Sequence, residues 1–149
     1  MCAINMNHDY VAGLFDGEGC FVITISKNTG KVRRQEFYYK AEAAIEIREE
    51  FLVDLLISLY GGNKTKKLPR KEGHSTTYRW KINGENLKAF CQHMDGRFLL
   101  KAEQSKVILE FFKVGEGKTT TALTDDQIAK QLHLRCVIMN LNKKGVSHG

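Results

Sequence analysis

The sequence predicts an α+β domain in the order αββαββα with further helices behind it: one antiparallel sheet, helices on one face, the other face open. Three observations carry this. Some segments repeat apolar residues at helical spacing while others alternate apolar and polar. The alternating segments come in two pairs, each split by a polar turn, as in hairpins. Helical segments precede, separate and follow the pairs, which favours one sheet covered on one side. At 149 residues the chain suits a single domain over 1–149, its core at about 7–113 and a helical tail at about 124–141.

The first helix is expected from Asn7 to Asp16, with Asn7 or Asp9 as cap, an apolar surface of Tyr10, Val11, Leu14 and Phe15, and a stop at Gly17 and Gly19. A strand follows over 20–26: Phe21, Ile23 and Ile25 fall on one face, Val22, Thr24 and Ser26 on the other. Asn28 to Lys31 reads as a turn, and the second strand spans about Phe37 to Ile47. From Arg48 to Tyr60 the spacing of Phe51, Leu52, Leu55, Leu56 and Leu59 is helical, and Gly61-Gly62 ends it. The second hairpin covers Asn63–Leu68 and Thr76–Asn83, where Tyr78, Trp80 and Ile82 alternate with Thr77, Arg79 and Lys81. Helices are expected near Glu85–Met94 and Phe98–Lys113. After a loop, Thr124-Asp125-Asp126-Gln127 fits a capping box for a last helix to about Leu141.

Hydrophobic residues make up 42% of the chain and charged residues 27%, an ordinary balance for a folded soluble domain. No apolar run is long enough to span a membrane, and the first residues lack signal-peptide character, so an intracellular protein without a membrane partner is expected. The net charge of +6 and a pI near 9.2 favour a polyanionic partner. The 4 cysteines form no CxxC pair. Cys91 and His93 stand two apart without a second ligand pair, so neither disulfides nor zinc are expected.

Residues 11–19 read Val-Ala-Gly-Leu-Phe-Asp-Gly-Glu-Gly. Gly13 and Gly17, with Ala12 beside them, flatten one face of the first helix, and flat small-residue faces let two helices approach closely. With one copy of the segment per chain, packing against a second copy about a two-fold axis is expected. Asp16 and Glu18 lie at the helix C-terminus, where the dipole disfavours negative charge by roughly 0.3–1 kcal/mol each. Such a pair of acids calls for a cation, either a basic side chain or a hard divalent ion such as Mg²⁺.

The nonapeptide resembles the motif of the LAGLIDADG homing endonucleases: Ala12, Gly13, Leu14, Asp16 and Gly19 match it, Glu18 keeps its acidity, Val11 and Phe15 are apolar replacements, and Gly17 replaces a small alanine. The αββαββ order, Tyr60-Gly61-Gly62, Tyr78-Arg79-Trp80-Lys81 and Lys101-x-x-Gln104 are similar to the family as well. The resemblance implies a sequence-specific, metal-dependent DNA endonuclease that cuts both strands of a long, near-palindromic site as a homodimer. It also implies an intron-encoded protein of a bacterial, phage, archaeal or organellar host. Glu18 and the carbonyl of Gly17 would hold the metal, with the extra methylene of Glu over Asp shifting the ligand slightly. Lys101 would face the scissile phosphate, and either Glu46 or Arg48 would order the attacking water. Val11, Ala12, Gly13, Phe15, Asp16 and Gly17 would form the dimer seam, with Asp16 also ending the helix.

The open sheet face is expected to read DNA, since a β-ribbon fits the major groove. Parity places Cys20, Val22, Thr24, Ser26 and Asn28 outward on the first strand, and Lys40, Glu42, Ala44 and Glu46 outward on the second. Lys64, Lys66, Arg70, Arg79 and Lys81 in the second hairpin, and Lys31, Arg33 and Arg34 in the first turn, complete the candidates. Two other uses of the same fold stand beside this reading: an RNA maturase bound to intron RNA, and a transcription regulator without cleavage.

Overall fold

The computed structural model describes residues 7–27, 37–116 and 123–147. Its elements are α1 (His8–Glu18), β1 (Gly19–Lys27), β2 (Phe37–Ile47), α2 (Glu50–Tyr60), β3 (Asn63–Lys67), β4 (Thr77–Asn83), α3 (Gly84–Met94), α4 (Ala102–Val114) and α5 (Asp125–Ser147). All strand pairs are antiparallel and the sheet order is β1-β2-β4-β3, so β2 and β4 are the interior strands. This is the α+β arrangement expected from the sequence.

The inward side chains follow the period of two. Phe21 and Ile23 of β1, Ala41, Ala43 and Ile45 of β2, and Trp80 and Ile82 of β4 are buried under the helices. The helices close over them with Phe15, Leu56, Phe90 and Ile108, each buried completely. Side chains of this size contribute about 1.5–3 kcal/mol each when removed from water. Phe15 stands at the centre of the aromatic packing, 4.6 Å from Phe21 and 5.4 Å from Phe90 between ring centroids.

Two glycines shape the chain around this core. Gly62 has φ +98°, and a Cβ there would lie 2.6 Å from the carbonyl oxygen of Lys81 and 2.9 Å from Trp80 Nε1. Without that Cβ, α2 can turn tightly into β3 while Trp80 donates its indole N–H to the Gly61 carbonyl at 2.9 Å. At Gly19, a Cβ would meet the Phe15 ring at 2.5 Å, so the chain passes from α1 straight into β1 over that ring. Glu18 is thereby placed at the corner between helix and sheet.

Helix ends differ from the sequence expectation in physically definite ways. Asn7 caps α1, its side chain accepting from Tyr10 N–H at 2.8 Å. The helix then runs through Gly17 to Glu18, because Gly17 sits on the exposed side and the break falls at Gly19. Helix α4 begins at Ala102 rather than Phe98, since the backbone of 99–101 is held by Asp16. The capping box of α5 forms in both directions: Thr124 N–H donates to Gln127 Oε1 at 2.8 Å, and Gln127 N–H donates to Thr124 Oγ1 at 3.2 Å.

Helix α5 packs on α4 and on β1. Arg135 donates to the Ile23 carbonyl at 3.2 Å and Asn142 to the Phe21 carbonyl at 2.9 Å, so backbone acceptors of edge strand β1 are covered. Among the described residues no helix is long and apolar enough to cross a membrane.

Candidate catalytic corner and nucleic-acid interface

Asp16 organises the end of α1. Its carboxylate accepts three backbone hydrogen bonds, from Leu99 at 2.8 Å, Leu100 at 3.1 Å and Lys101 at 3.0 Å. The donors are the N-cap residue of α4 and the two residues before it, where the positive end of the helix dipole also favours an anion. The acid that the sequence left without a partner at one helix C-terminus is thus satisfied at the N-terminus of another. The third of these bonds fastens the backbone of Lys101 beside the end of α1.

Glu18 and Gly17 occupy the exposed side of that corner. Among the described residues no side chain pairs with the Glu18 carboxylate. Those residues contain no cluster of three His, Cys, Asp or Glu able to hold a metal. The Glu18 carboxylate and the Gly17 carbonyl are hard oxygen donors suited to a divalent cation, but two ligands do not fill its shell. Such a donor pair fits a hard divalent ion that keeps water in its remaining positions.

The register Gly19↔Ile45 puts Glu46 and Arg48 at the same end of the sheet as Glu18. Glu46 is tied to Lys67 at 3.0 Å. The hydrogen bond from Lys67 holds its carboxyl below the usual carboxylate range, with Thr77 and the charge of Arg79 helping against some desolvation. Arg48 is exposed just beyond β2 and makes no ion pair among the described residues.

The seam expected on α1 needs correction. Val11, Ala12 and Phe15 are buried in the chain's own core, and Asp16 is engaged by the 99–101 backbone, so none of these side chains is free for a seam. The stripe left outward is Tyr10, Gly13, Leu14 and Gly17, with Tyr10 and both glycines exposed. These positions recur at i, i+3, i+4 and i+7, which is one face of a helix. Nothing lies within 4 Å of a Cβ built at Gly13 or Gly17. Leu99, 90% exposed, and Leu100 stand in the segment that Asp16 holds beside this helix.

On the open sheet face the register brings Thr24, Lys40, Glu42, Arg79 and Lys81 together, with Ser26 toward the end of β1. Thr24 Oγ1 donates to the Lys40 carbonyl at 3.3 Å. Two lysines fall elsewhere. Lys64 pairs across the ladder with buried Trp80, and Lys66 with Tyr78, so both point to the helix side. Lys64 reaches Asp54 of α2 at 2.8 Å and Glu50 at 3.6 Å, and the hydrogen bond to Asp54 raises its pKa. Asn63, Thr65 and Lys67 take the open face, opposite Lys81, Arg79 and Thr77. Lys67 was not legible as a candidate because Asn-Lys-Thr-Lys-Lys has no apolar residue to set its parity. Arg70 lies in the β3–β4 connection, where Lys67, Arg70, Lys71 and His74 line a cleft of about 610 Å³ that reaches Glu46. Asn28, Lys31, Arg33 and Arg34 lie outside the described residues.

A comparison with curated proteins returns no match. Among solved structures the fold is similar to that of the homing endonuclease I-TnaI, with TM-score 0.68 and 21% identity over 94% of this chain and 96% of that one. It is similar also to the archaeal intron-encoded homing endonuclease I-Vdi141I complexed with DNA, with TM-score 0.71 and 15% identity over 90% and 82%. The LAGLIDADG homing endonuclease I-SmaMI bound to cleaved DNA gives TM-score 0.70 and 23% identity over 90% of this chain but 44% of that one. The sequence model described as "LAGLIDADG endonuclease" matches residues 11–115, from the first residue of the α1 motif to the end of α4. The chain belongs to the LAGLIDADG endonuclease family, whose members are site-specific DNA endonucleases.

Proposed function

We propose that this chain makes metal-dependent double-strand breaks at a long, near-palindromic DNA site as a homodimer, and that it is encoded within an intron of its host. The observation that carries this reading is the Asp16 clamp, which brings the Lys101 backbone to the corner where Gly17 and Glu18 are exposed. Two copies packed through Tyr10, Gly13, Leu14 and Gly17 would set two such corners side by side at a two-fold axis, one for each strand. Solved relatives bound to DNA in the presence of calcium or magnesium support a divalent ion, for which Mg²⁺ is the proposed species.

Glu18 and the Gly17 carbonyl would hold the metal, which when bound supplies activation of water and neutralisation of charge on phosphate oxygens. Lys101 places an ammonium toward the scissile phosphate and stabilises charge that develops there. Arg48, unlike the lysine-tied Glu46, is available to orient water at that end of the sheet. The open face binds the duplex: cations toward the rim hold phosphates, and side chains of the interior strands meet base edges.

Single-turnover cleavage and DNA affinity, measured together for the parent and Glu18→Gln, test the reading. The variant keeps size and hydrogen bonding, so folding and binding are expected to persist while cleavage in Mg²⁺ falls by orders of magnitude. A variant that cuts at the parental rate overturns the assignment. A parent that binds duplex without cutting in any divalent ion is instead a regulator, and one that prefers structured intron RNA is a maturase.

A further inference from the structure

The Glu42 carboxylate bridges two ammonium groups on the open sheet face. Its Oε1 lies 3.8 Å from Lys40 Nζ and its Oε2 lies 3.3 Å from Lys81 Nζ. The side chain of Glu42 is 12% exposed while each lysine is 41% exposed. The carboxylate is therefore recessed between the two cations, each of its oxygens turned to one of them. What this cluster presents outward is two ammonium donors that flank one recessed carboxylate, the lysines being far more exposed than the acid between them.

Two like charges drawn to one carboxylate would, without it, repel and swing apart as flexible stems. A carboxylate between them cancels that repulsion and limits where each head can go. The location decides what they meet. Glu42 and Lys81 belong to interior strands, Glu42 standing opposite Val22 on one side and Asn83 on the other, with Lys81 opposite Ala44 and Asn63. Short neighbours on both sides let a groove floor approach, whereas the cations of the β3–β4 connection sit toward the rim, where backbone phosphates run.

In the major groove, guanine is the base that offers two acceptors, O6 and N7, from one edge, while adenine and cytosine each interpose an amino donor. A pair of donors flanking a recessed acceptor is complementary to guanine and mismatched to the others. We infer that Lys40 and Lys81 read one guanine in each half-site, and that Glu42 is the positioning residue that converts them from phosphate-type cations into a base reader. This rests on the proposed DNA-binding use of the open face.

Binding selections from a randomised duplex library in Ca²⁺, for the parent, Glu42→Gln and Lys81→Met, test it. The parent is expected to enrich guanine at one position per half-site by on the order of tenfold or more over other bases. Glu42→Gln is expected to lose that preference at that position alone while total affinity is kept or raised, since a negative charge has left the face. Lys81→Met should lose the same preference with weaker binding. Replacing that guanine by 7-deazaguanine, which lacks the N7 acceptor, is expected to weaken the parent severalfold and leave both variants nearly unchanged. An unaltered base profile in Glu42→Gln, or affinity that changes equally for every sequence, overturns the guanine reading while leaving DNA binding intact. A parent that selects no duplex at all overturns the proposed function, and this inference with it.

Discussion

Asp16 and Lys101, 85 positions apart in the chain, are joined by a 3.0 Å hydrogen bond from the backbone N–H of Lys101 to the Asp16 carboxylate. Asp16→Asn replaces one acceptor oxygen with a donor that faces donors. It is expected to cost about 1.5–3 kcal/mol of stability, as for other hydrogen bonds to a charged group. Cleavage is expected to fall more than DNA affinity, because Lys101 loses its anchor while the sheet is untouched. Urea denaturation beside single-turnover kinetics checks both, and equal loss of binding and cleavage would argue against the anchor.

Gly13 separates association from folding. A side chain there meets nothing within 4 Å in one copy, and glycine is a poor helix former. Gly13→Leu is therefore expected to leave the monomer as stable as the parent or more so, and to abolish the proposed dimer. Sedimentation velocity and thermal melts give the two readings independently. A variant that remains dimeric places the seam on another surface.

Lys64 and Lys67 differ by three positions and face opposite sides of the sheet. Lys67→Ala is expected to weaken binding to all duplexes alike and to lower the salt slope by about one unit. Lys64→Ala is expected to leave that slope unchanged, since its ammonium lies on the helix side of the sheet, against Asp54 and Glu50. Titrations of affinity against salt distinguish them.

Alkaline pH is expected to loosen the fold through Cys91. Burial pushes its thiol from 9.0 up to about 12, partly offset by a hydrogen bond with Ser105. The unfolded chain ionises this thiol first, so its contribution is complete below pH 9 and is lost as pH rises toward 12. The slope approaches about 1.4 kcal/mol per pH unit in that window. Tyr60, pushed by burial to about 12, acts in the same direction from pH 10 upward. Urea melts at pH 8 and pH 10 are expected to show a smaller loss for Cys91→Ala than for the parent.

Much of this was legible in local sequence. The period of two fixed the faces of β1, β2 and β4, and the bounds of β2 fall at Phe37 and Ile47 as the alternation indicated. Failures arose where the deciding partner is remote. Gly17 reads as a helix stop, yet the helix ends only where the Phe15 ring needs the space at Gly19. Asp16 reads as an unsatisfied acid because its donors lie more than eighty residues away. Helical spacing put Val11 and Phe15 on an apolar surface but did not say that the surface faces the chain's own sheet. In β3 a run of polar residues carries no parity, so Lys64 and Lys66 took the place of Thr65 and Lys67.

The two margins of the sheet are guarded by different means, and this has a consequence for handling the protein. Along β1, Arg135 and Asn142 occupy backbone carbonyls directly, a mechanical seal that salt leaves largely in place. Along β3 all five residues are exposed, and Lys64, Lys66 and Lys67 keep other strands away by charge. Concentrated salt weakens only the second kind of guard. Colloidal failure at high ionic strength should therefore begin as strand-to-strand growth from β3, in one direction, and trimming α5 should open the other.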